Sequence, residues 1–178
     1  MSRLRVSVAG SGVLPPGDPR RRLAWELGRA LVGAGHVVVC GGMGGVMDAV
    51  AQGGQSSPRH RPDSVVGLVP GTGTEGASEH LDVALPTGLG HLRNSLVARS
   101  DAVVAIGGGA GTLSELAMAW LFDRLCIAYR VEGWSGELAD RRIDDRIRFE
   151  DRPDDRVYGV DRAEQVLALL DRWAAPPN

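Results

Sequence analysis

Five short runs decide what this chain can fold into. Leu4–Ala9, His36–Cys40, Ser64–Val69, Asp101–Ile106 and Leu125–Tyr129 are nearly continuous in Val, Ile, Leu and Ala. A strand with one face in water alternates apolar and polar residues, whereas a strand covered on both faces does not. These runs therefore read as strands that need helices on both sides, and helical patterns lie between them. The clearest pattern follows Asp18, a good N-cap. Pro19 suits the first helical position, Leu23, Leu27, Ala30, Leu31 and Ala34 share a face, and Gly35 closes the helix. Further helices are expected at Gly45–Gln52, Gly90–Arg99 and Thr112–Arg124. A last one is expected to start at Asp161, where Asp161 and Glu164 have the spacing of a capping box, and to end before Pro176. Strand–helix alternation of this kind predicts an α/β fold, a Rossmann-like doubly wound parallel sheet with helices on both faces. At 178 residues the expectation is one domain over 1–178. Gly53–Asp63 reads as an exposed loop, and Glu132–Arg156, dense in Asp and Arg, carries no assignable element.

In such a sheet, ligands bind beyond the carboxyl ends of the strands. Four of the five runs lead into glycine-rich turns at that edge: Gly10-Ser11-Gly12, Gly41-Gly42-Met43-Gly44-Gly45, Gly71-Thr72-Gly73 and Gly107-Gly108-Gly109-Ala110-Gly111-Thr112. A single such turn needs only tight local geometry. Four on one edge favour a ligand that takes many backbone N–H donors, such as a phosphate. The dinucleotide fingerprint fails at the first strand, where Pro15 stands in place of the third glycine. Its literal match, Gly71-x-Gly73-x-x-Gly76, has no helix after it and is discounted.

All twenty basic residues are Arg, and the chain contains no lysine. Schiff-base chemistry and a Walker-type phosphate loop are therefore excluded. A net charge of −2 gives no field for non-specific nucleic-acid binding, and Arg20–Arg22 and Arg141–Arg142 have acidic neighbours, so they read as solvated faces. Cys40 and Cys126 read as buried thiols, and His36, His60, His80 and His91 lack metal-ligand spacing, so neither a disulfide nor a metal is expected. No apolar run is long enough to span a membrane, and the first ten residues lack a signal-peptide core. The expectation is a cytoplasmic protein.

The most informative segment is DAVVAIGGGAGTLSELAMAW, residues 101–120. A buried strand runs into a glycine turn and then a helix, whose N-terminus offers unpaired N–H groups and a partial positive charge. Glu115 has two readings. Thr112-x-x-Glu115 is capping-box spacing, and the carboxylate is equally a candidate functional group.

Residues 107–115 resemble the Pro-Gly-Gly-x-Gly-Thr-x-x-Glu signature of the Lonely Guy (LOG) family, long labelled lysine decarboxylases. The resemblance spans about residues 4–125 and includes Gly10-Ser11, the Gly41-Gly42 turn before Gly45-Val46-Met47, the strand VVGLVP and Arg93. It implies hydrolysis of the N-glycosidic bond of nucleoside 5′-monophosphates to base and ribose 5-phosphate. By resemblance, Gly108, Gly109, Gly111 and Thr112 hold the phosphate, with Ala110 inside the same turn, and Glu115 and Arg93 are the catalytic pair. Glu115 would face the ribose and activate water or stabilise an oxocarbenium-like transition state, with Arg93 binding substrate and holding Glu115 ionised.

Gly107 replaces the family's leading proline, Asn94 replaces the lysine of an Arg-Lys pair, and the spacing from Arg93 to the glycine turn is one residue shorter. These features are more similar to the branch with Gly-Gly-Gly-x-Gly-Thr-Leu-Ser-Glu, which includes molybdenum-cofactor carrier proteins that bind a phosphorylated pterin without turning it over. Asn94 can still donate hydrogen bonds, and Gly10, Ser11, Gly41, Gly42 and Met43 complete the expected ligand-binding set. The leading expectation is a LOG-like protein binding a phosphorylated nucleotide or nucleotide-like ligand, with phosphoribohydrolysis as the associated reaction. The alternative is a non-enzymatic carrier or sensor of molybdenum cofactor or another phosphorylated small molecule. A third reading is a homologue whose turns hold no ligand. No protein-bound cofactor is expected. By resemblance a homodimer or higher homo-oligomer is, with the apolar surface of the Thr112–Arg124 helix serving core or partner.

Overall fold

A computed structural model describes residues 3–174 of the chain. Seven strands, β1 (Arg5–Gly10), β2 (Val37–Cys40), β3 (Val65–Val69), β4 (Val83–Pro86), β5 (Ala102–Ile106), β6 (Leu125–Tyr129) and β7 (Tyr158–Val160), form one sheet in the order β4-β3-β2-β1-β5-β6-β7. Every neighbouring pair is parallel, with Val8 opposite both Cys40 and Val104 in register. The chain order reverses between β1 and β5, so the switch point lies where the Gly10 and Gly107 turns emerge. The five expected strands are all present within a residue of their expected ends. β4 and β7 are short and were not anticipated.

The helices are α1 (Pro19–Gly33), α2 (Val46–Gln55), α3 (Asn94–Val97), α4 (Ala110–Leu121), α5 (Trp134–Leu138) and α6 (Ala163–Ala174). Strand alternation sorts the core into two layers. Val6, Val8, Val38, Cys40, Val104, Ile106 and Ile127 pack with α1, α2 and α6, whereas Val103, Ala105, Cys126 and Ala128 pack with Leu116, Ala119 and Trp120 of α4. Both cysteines are buried and free, and burial pushes both thiols up, to about 11 for Cys40 and about 12 for Cys126. Among the described residues no helix is long and apolar enough to cross a membrane, and no group of His, Cys, Asp and Glu is placed to hold a metal ion.

Several boundaries differ from expectation for identifiable reasons. Asp18 caps α1 by accepting from the Arg20 N–H at 2.9 Å, and Gly35, at φ +91°, turns the chain out of the helix as expected. Gly53 and Gly54 are not exposed loop. They form the buried last turn of α2, because α1 lies directly on them. The helix expected over Gly90–Arg99 is a 3-10 turn, Gly90–Arg93, followed by the single turn α3. At α6 the reach-back to the Asp161 N–H comes from Gln165 at 2.7 Å, not from Glu164, so Asp161–Glu164 is not the capping box, and the helix begins two residues later. Pro176 lies outside the described residues.

The segment 132–156 owes its order to arginine. Arg148 and Asp155 form an ion pair at 2.7 Å with both side chains buried. The Arg148 guanidinium also stacks on Trp120, 3.7 Å from the ring centre, and donates to the Arg124 carbonyl at 2.9 Å.

α1 and α2 pack backbone to backbone through glycine. A Cβ on Gly28 would fall on the Val50 carbonyl, and one on Gly53 would fall on the Trp25 carbonyl. Gly28→Ala should lower the unfolding free energy by roughly 2–3 kcal/mol through overpacking. Gly33→Ala, on the same helix, would meet only Ser57 Oγ at 3.6 Å. It should be neutral or raise stability by up to about 1 kcal/mol. Denaturant titration of both variants checks this, and equal shifts would contradict the close helix contact.

Candidate functional site

The turn after β5 makes the site. Gly107 and Gly108 both take positive φ, +63° and +90°, and Gly109 then serves as the N-cap of α4 with no side-chain cap bond. α4 therefore starts at Ala110, not at Thr112, and Thr112 lies in its first turn. The Thr112 side chain fills the space that a Cβ on Gly108 would occupy. The capping-box reading of Thr112 and Glu115 fails for this reason: Glu115 lies in the second turn, out of reach of the helix start. The first N–H groups of α4 have no intrahelical acceptor. They open on a surface where Gly109, Ala110 and Gly111 are exposed and where nothing lies within 4 Å of a Cβ placed on Gly109. An uncapped N-terminus of this kind takes an anion through both its free donors and its dipole.

Glu115 instead meets Arg93. Arg93 Nη1 donates to Glu115 Oε1 at 2.8 Å, with the side chains only 11% and 8% exposed. The 3-10 turn ends at Arg93 and aims it inward. Gly41 admits it, since a Cβ there would strike the Arg93 guanidinium. Arg93 Nε is buried and has no partner among the described residues. Burial pushes the Glu115 carboxyl up, to about 7, and Arg93 offsets only part of that rise. Arg93 thus acts in the expected direction, favouring the ionised carboxyl, while burial acts against it and is the larger effect.

The remaining expected residues divide into lining and frame. Asn94 is buried, and its Nδ2 donates to Ser114 Oγ at 2.7 Å. Ser114 in turn donates to the Gly111 carbonyl at 2.7 Å, so the amide steadies the first turn of α4. Ser11 Oγ accepts from the Gly108 N–H at 3.2 Å, and its carbonyl accepts from the Val46 N–H at 2.9 Å. Gly10 lets β1 approach β5, since a Cβ there would lie 2.6 Å from the Ile106 carbonyl. Gly42, at φ +74°, packs on Gly67 and Val69, and Met43 reaches towards Gly76. Gly10, Ser11, Gly41 and Gly42 are thus chiefly frame. The Gly71–Gly76 stretch leads to β4 with no intervening helix, as its discounting as a dinucleotide fingerprint requires.

Two residues were missed by sequence reasoning. Ser135 Oγ accepts from the Gly107 N–H at 2.7 Å and donates to the Tyr129 carbonyl at 2.7 Å, which ties the glycine turn to α5. Arg20 lies over Gly107, its Nη1 3.1 Å from where a Cβ would stand, and is held by Asp18. Ser135 sat in the unassigned segment. Arg20 read as a solvated face.

The raised carboxyl has a consequence for stability. Its value is about 7 in the fold against 4.5 for the free group. The folded state binds this proton more tightly, so its contribution is fully present below about pH 4.5 and is lost as pH rises through 7. Between pH 5 and pH 8 the wild-type melting temperature should fall by several degrees relative to that of Glu115→Gln, measured by calorimetry. Parallel profiles for the two proteins would contradict the assignment.

A profile of the SLOG cluster4 family matches residues 3–167. An uncharacterized protein of Archaeoglobus fulgidus is 34% identical over 120 residues, which cover 67% of this chain and 75% of that protein. The molybdenum cofactor binding protein from the phototrophic bacterium Rippkaea orientalis superposes with a TM-score of 0.79 at 28% identity, covering 98% of this chain and 99% of that one. The molybdenum cofactor carrier protein from Chlamydomonas reinhardtii superposes with a TM-score of 0.76 at 21% identity, covering 98% and 100%. The sequence likeness to LOG proteins is thereby narrowed to one group, and this chain belongs to the SLOG cluster4 family.

Proposed function

We propose that this protein binds a phosphorylated small molecule at the N-terminus of α4 and holds it without turning it over, as a carrier or sensor. The observation that carries this reading is the uncapped start of α4, exposed at Gly109–Gly111 and preceded by two glycines at positive φ. The relative from Rippkaea orientalis is described as binding molybdenum cofactor, which supports a phosphorylated pterin as the ligand class. Arg93 adds a buried cation, with an Nε donor still unpaired among the described residues.

A second reading, phosphoribohydrolysis of a nucleoside 5′-monophosphate, draws on the Arg93–Glu115 pair. Glu115 lies five residues along α4 from Ala110, about 7.5 Å along the helix axis. A phosphate on the first N–H groups would therefore bring the next part of a ligand towards the carboxyl.

Self-association is proposed from Leu92 and Leu96, which are 72% and 43% exposed and one helical turn apart beside the site. Leu121, at the end of α4, is likewise exposed.

Gly109→Glu places a carboxylate where the phosphate would sit, in open space and at an ordinary φ of −105°. The fold should persist while binding of molybdenum cofactor and of nucleoside monophosphates weakens at least about tenfold, the loss of one charge-assisted contact. Unchanged affinity by titration calorimetry would refute the site. With a panel of nucleoside monophosphates, wild-type protein should release no more free base than Glu115→Ala or Arg93→Ala. Release above those controls would replace the carrier reading by the hydrolase. Leu92→Glu with Leu96→Glu should lower the mass found by light scattering, and an unchanged mass would remove this surface as the contact.

A further inference from the structure

A cavity of about 410 Å³ opens at the opposite edge of the sheet, lined by Arg3, His36, Arg59, His60, Arg61 and Ser64 among others. Arg3 precedes β1, His36 precedes β2 and Ser64 precedes β3, so this is the amino-terminal edge, remote from the glycine turns. The volume falls within the ordinary range for small-molecule sites. Three guanidinium groups and two imidazoles line the cavity; Asp63 and Asp82 pair with two of them, Arg3 and His60, and Asp171 acts on His36, whereas Arg59 and Arg61 form no ion pair among the described residues.

The walls are built rather than incidental. Arg3 Nη1 is held by Asp63 at 2.8 Å, and Arg59 Nη1 donates to the Gly33 carbonyl at 3.1 Å. His60 Nε2 pairs with Asp82 Oδ1 at 2.8 Å, and Ser64 Oγ accepts from the Arg61 N–H at 2.9 Å. Capping the end of α1 occupies one Arg59 donor, and the rest of that fork has no hydrogen-bond partner among the described residues, with Nη2 3.7 Å from the position of a Cβ on Gly35. The Arg61 guanidinium has no hydrogen-bond partner among the described residues.

His36 is the decisive residue. It is 3% exposed, and its Nδ1 accepts from the Leu4 N–H at 3.3 Å. The neutral ring then carries its proton on Nε2, which is buried and has no acceptor among the described residues. Desolvation holds the ring below its ordinary value, in keeping with the neutral form. A buried donor without an acceptor among the described residues, beside Arg59 and Arg61, which form no ion pair there, lacks what a multi-oxygen anion provides.

We propose that this cavity is a second ligand site, for a phosphate-bearing small anion held by Arg59, Arg61 and His36. The proposal is independent of the α4 site, and its test removes that site. In the Gly109→Glu protein, inorganic pyrophosphate is titrated while the His36 ring resonances are followed by NMR and affinity is read by calorimetry. The His36 signals should shift saturably. Arg61→Glu in the same background, an exposed change that breaks no internal bond, should weaken pyrophosphate about tenfold or more with an unchanged spectrum elsewhere. Unmoved His36 signals, or equal affinity with Arg61→Glu, would overturn the proposal.

Discussion

Main chain meets main chain at several places, and three of those contacts frame the rest of the molecule. β1 comes against β5 at Gly10 and Ile106, the Gly45 turn comes against the Ser11 carbonyl, and α1 comes against α2 at Gly28 and Val50. Each approach is closer than any Cβ allows, so glycine acts here as a spacing device. The first two contacts set the switch point of the sheet. Because the β1 turn lies that near the β5 turn, Ser11 Oγ reaches the Gly108 N–H and helps to hold the glycine turn that uncaps α4. Gly133, at φ +113°, brings α5 onto the same turn from the other side, where Ser135 takes the Gly107 N–H. The exposed helix N-terminus is therefore the product of two neighbouring loops that leave room for nothing but backbone.

The Arg93–Glu115 pair has a different character. A buried ion pair gains Coulomb energy but loses the hydration of both ions, and replacing such a pair by apolar groups often stabilises a protein. Here burial outweighs pairing at Glu115, and Arg93 keeps an Nε unpaired among the described residues. A local arrangement that works against stability, next to an open helix N-terminus, is what a functional site is expected to contain. Gly41 belongs to this arrangement as much as to the backbone, since its missing side chain is the space the guanidinium occupies.

The doubly wound sheet was legible because fully buried strands lose their alternation, and β1, β2, β3, β5 and β6 all show that loss. β4 and β7 were not, since β4 is an exposed edge, with Leu85 46% exposed, and β7 has only three residues, just after an arginine-rich stretch. Periodicity cannot see the forces that order that stretch, because Arg148 on Trp120 and Arg148 with Asp155 are contacts between segments distant in sequence. Glycine runs marked the site correctly, but not the division of labour within it. Local spacing offered Thr112-x-x-Glu115 as a cap, and only the backbone angles at Gly107–Gly109 move the helix start two residues earlier and release Glu115 to Arg93. Boundary errors at α2 have the same origin, as Gly53 and Gly54 look like loop until α1 is seen lying on them.

The absence of lysine bears on the choice between holding and hydrolysing a ligand. Asn94 stands where the LOG resemblance places a lysine, and its amide is committed to Ser114 and the first turn of α4. The cation is thus replaced by a strut, and a proposed anion at the start of α4 would meet helix N–H groups and, of the Arg-Lys pair, only Arg93. Cleavage of an N-glycosidic bond builds positive charge on the sugar, which an unshared carboxylate stabilises best. Burial raises the Glu115 carboxyl above its ordinary value, and when ionised its charge is shared with a guanidinium 2.8 Å away. Such a pair has little field to spare for a developing cation. The N–H donors at the start of α4 remain well suited to a phosphate, which is the feature the proposed holding of a ligand draws on.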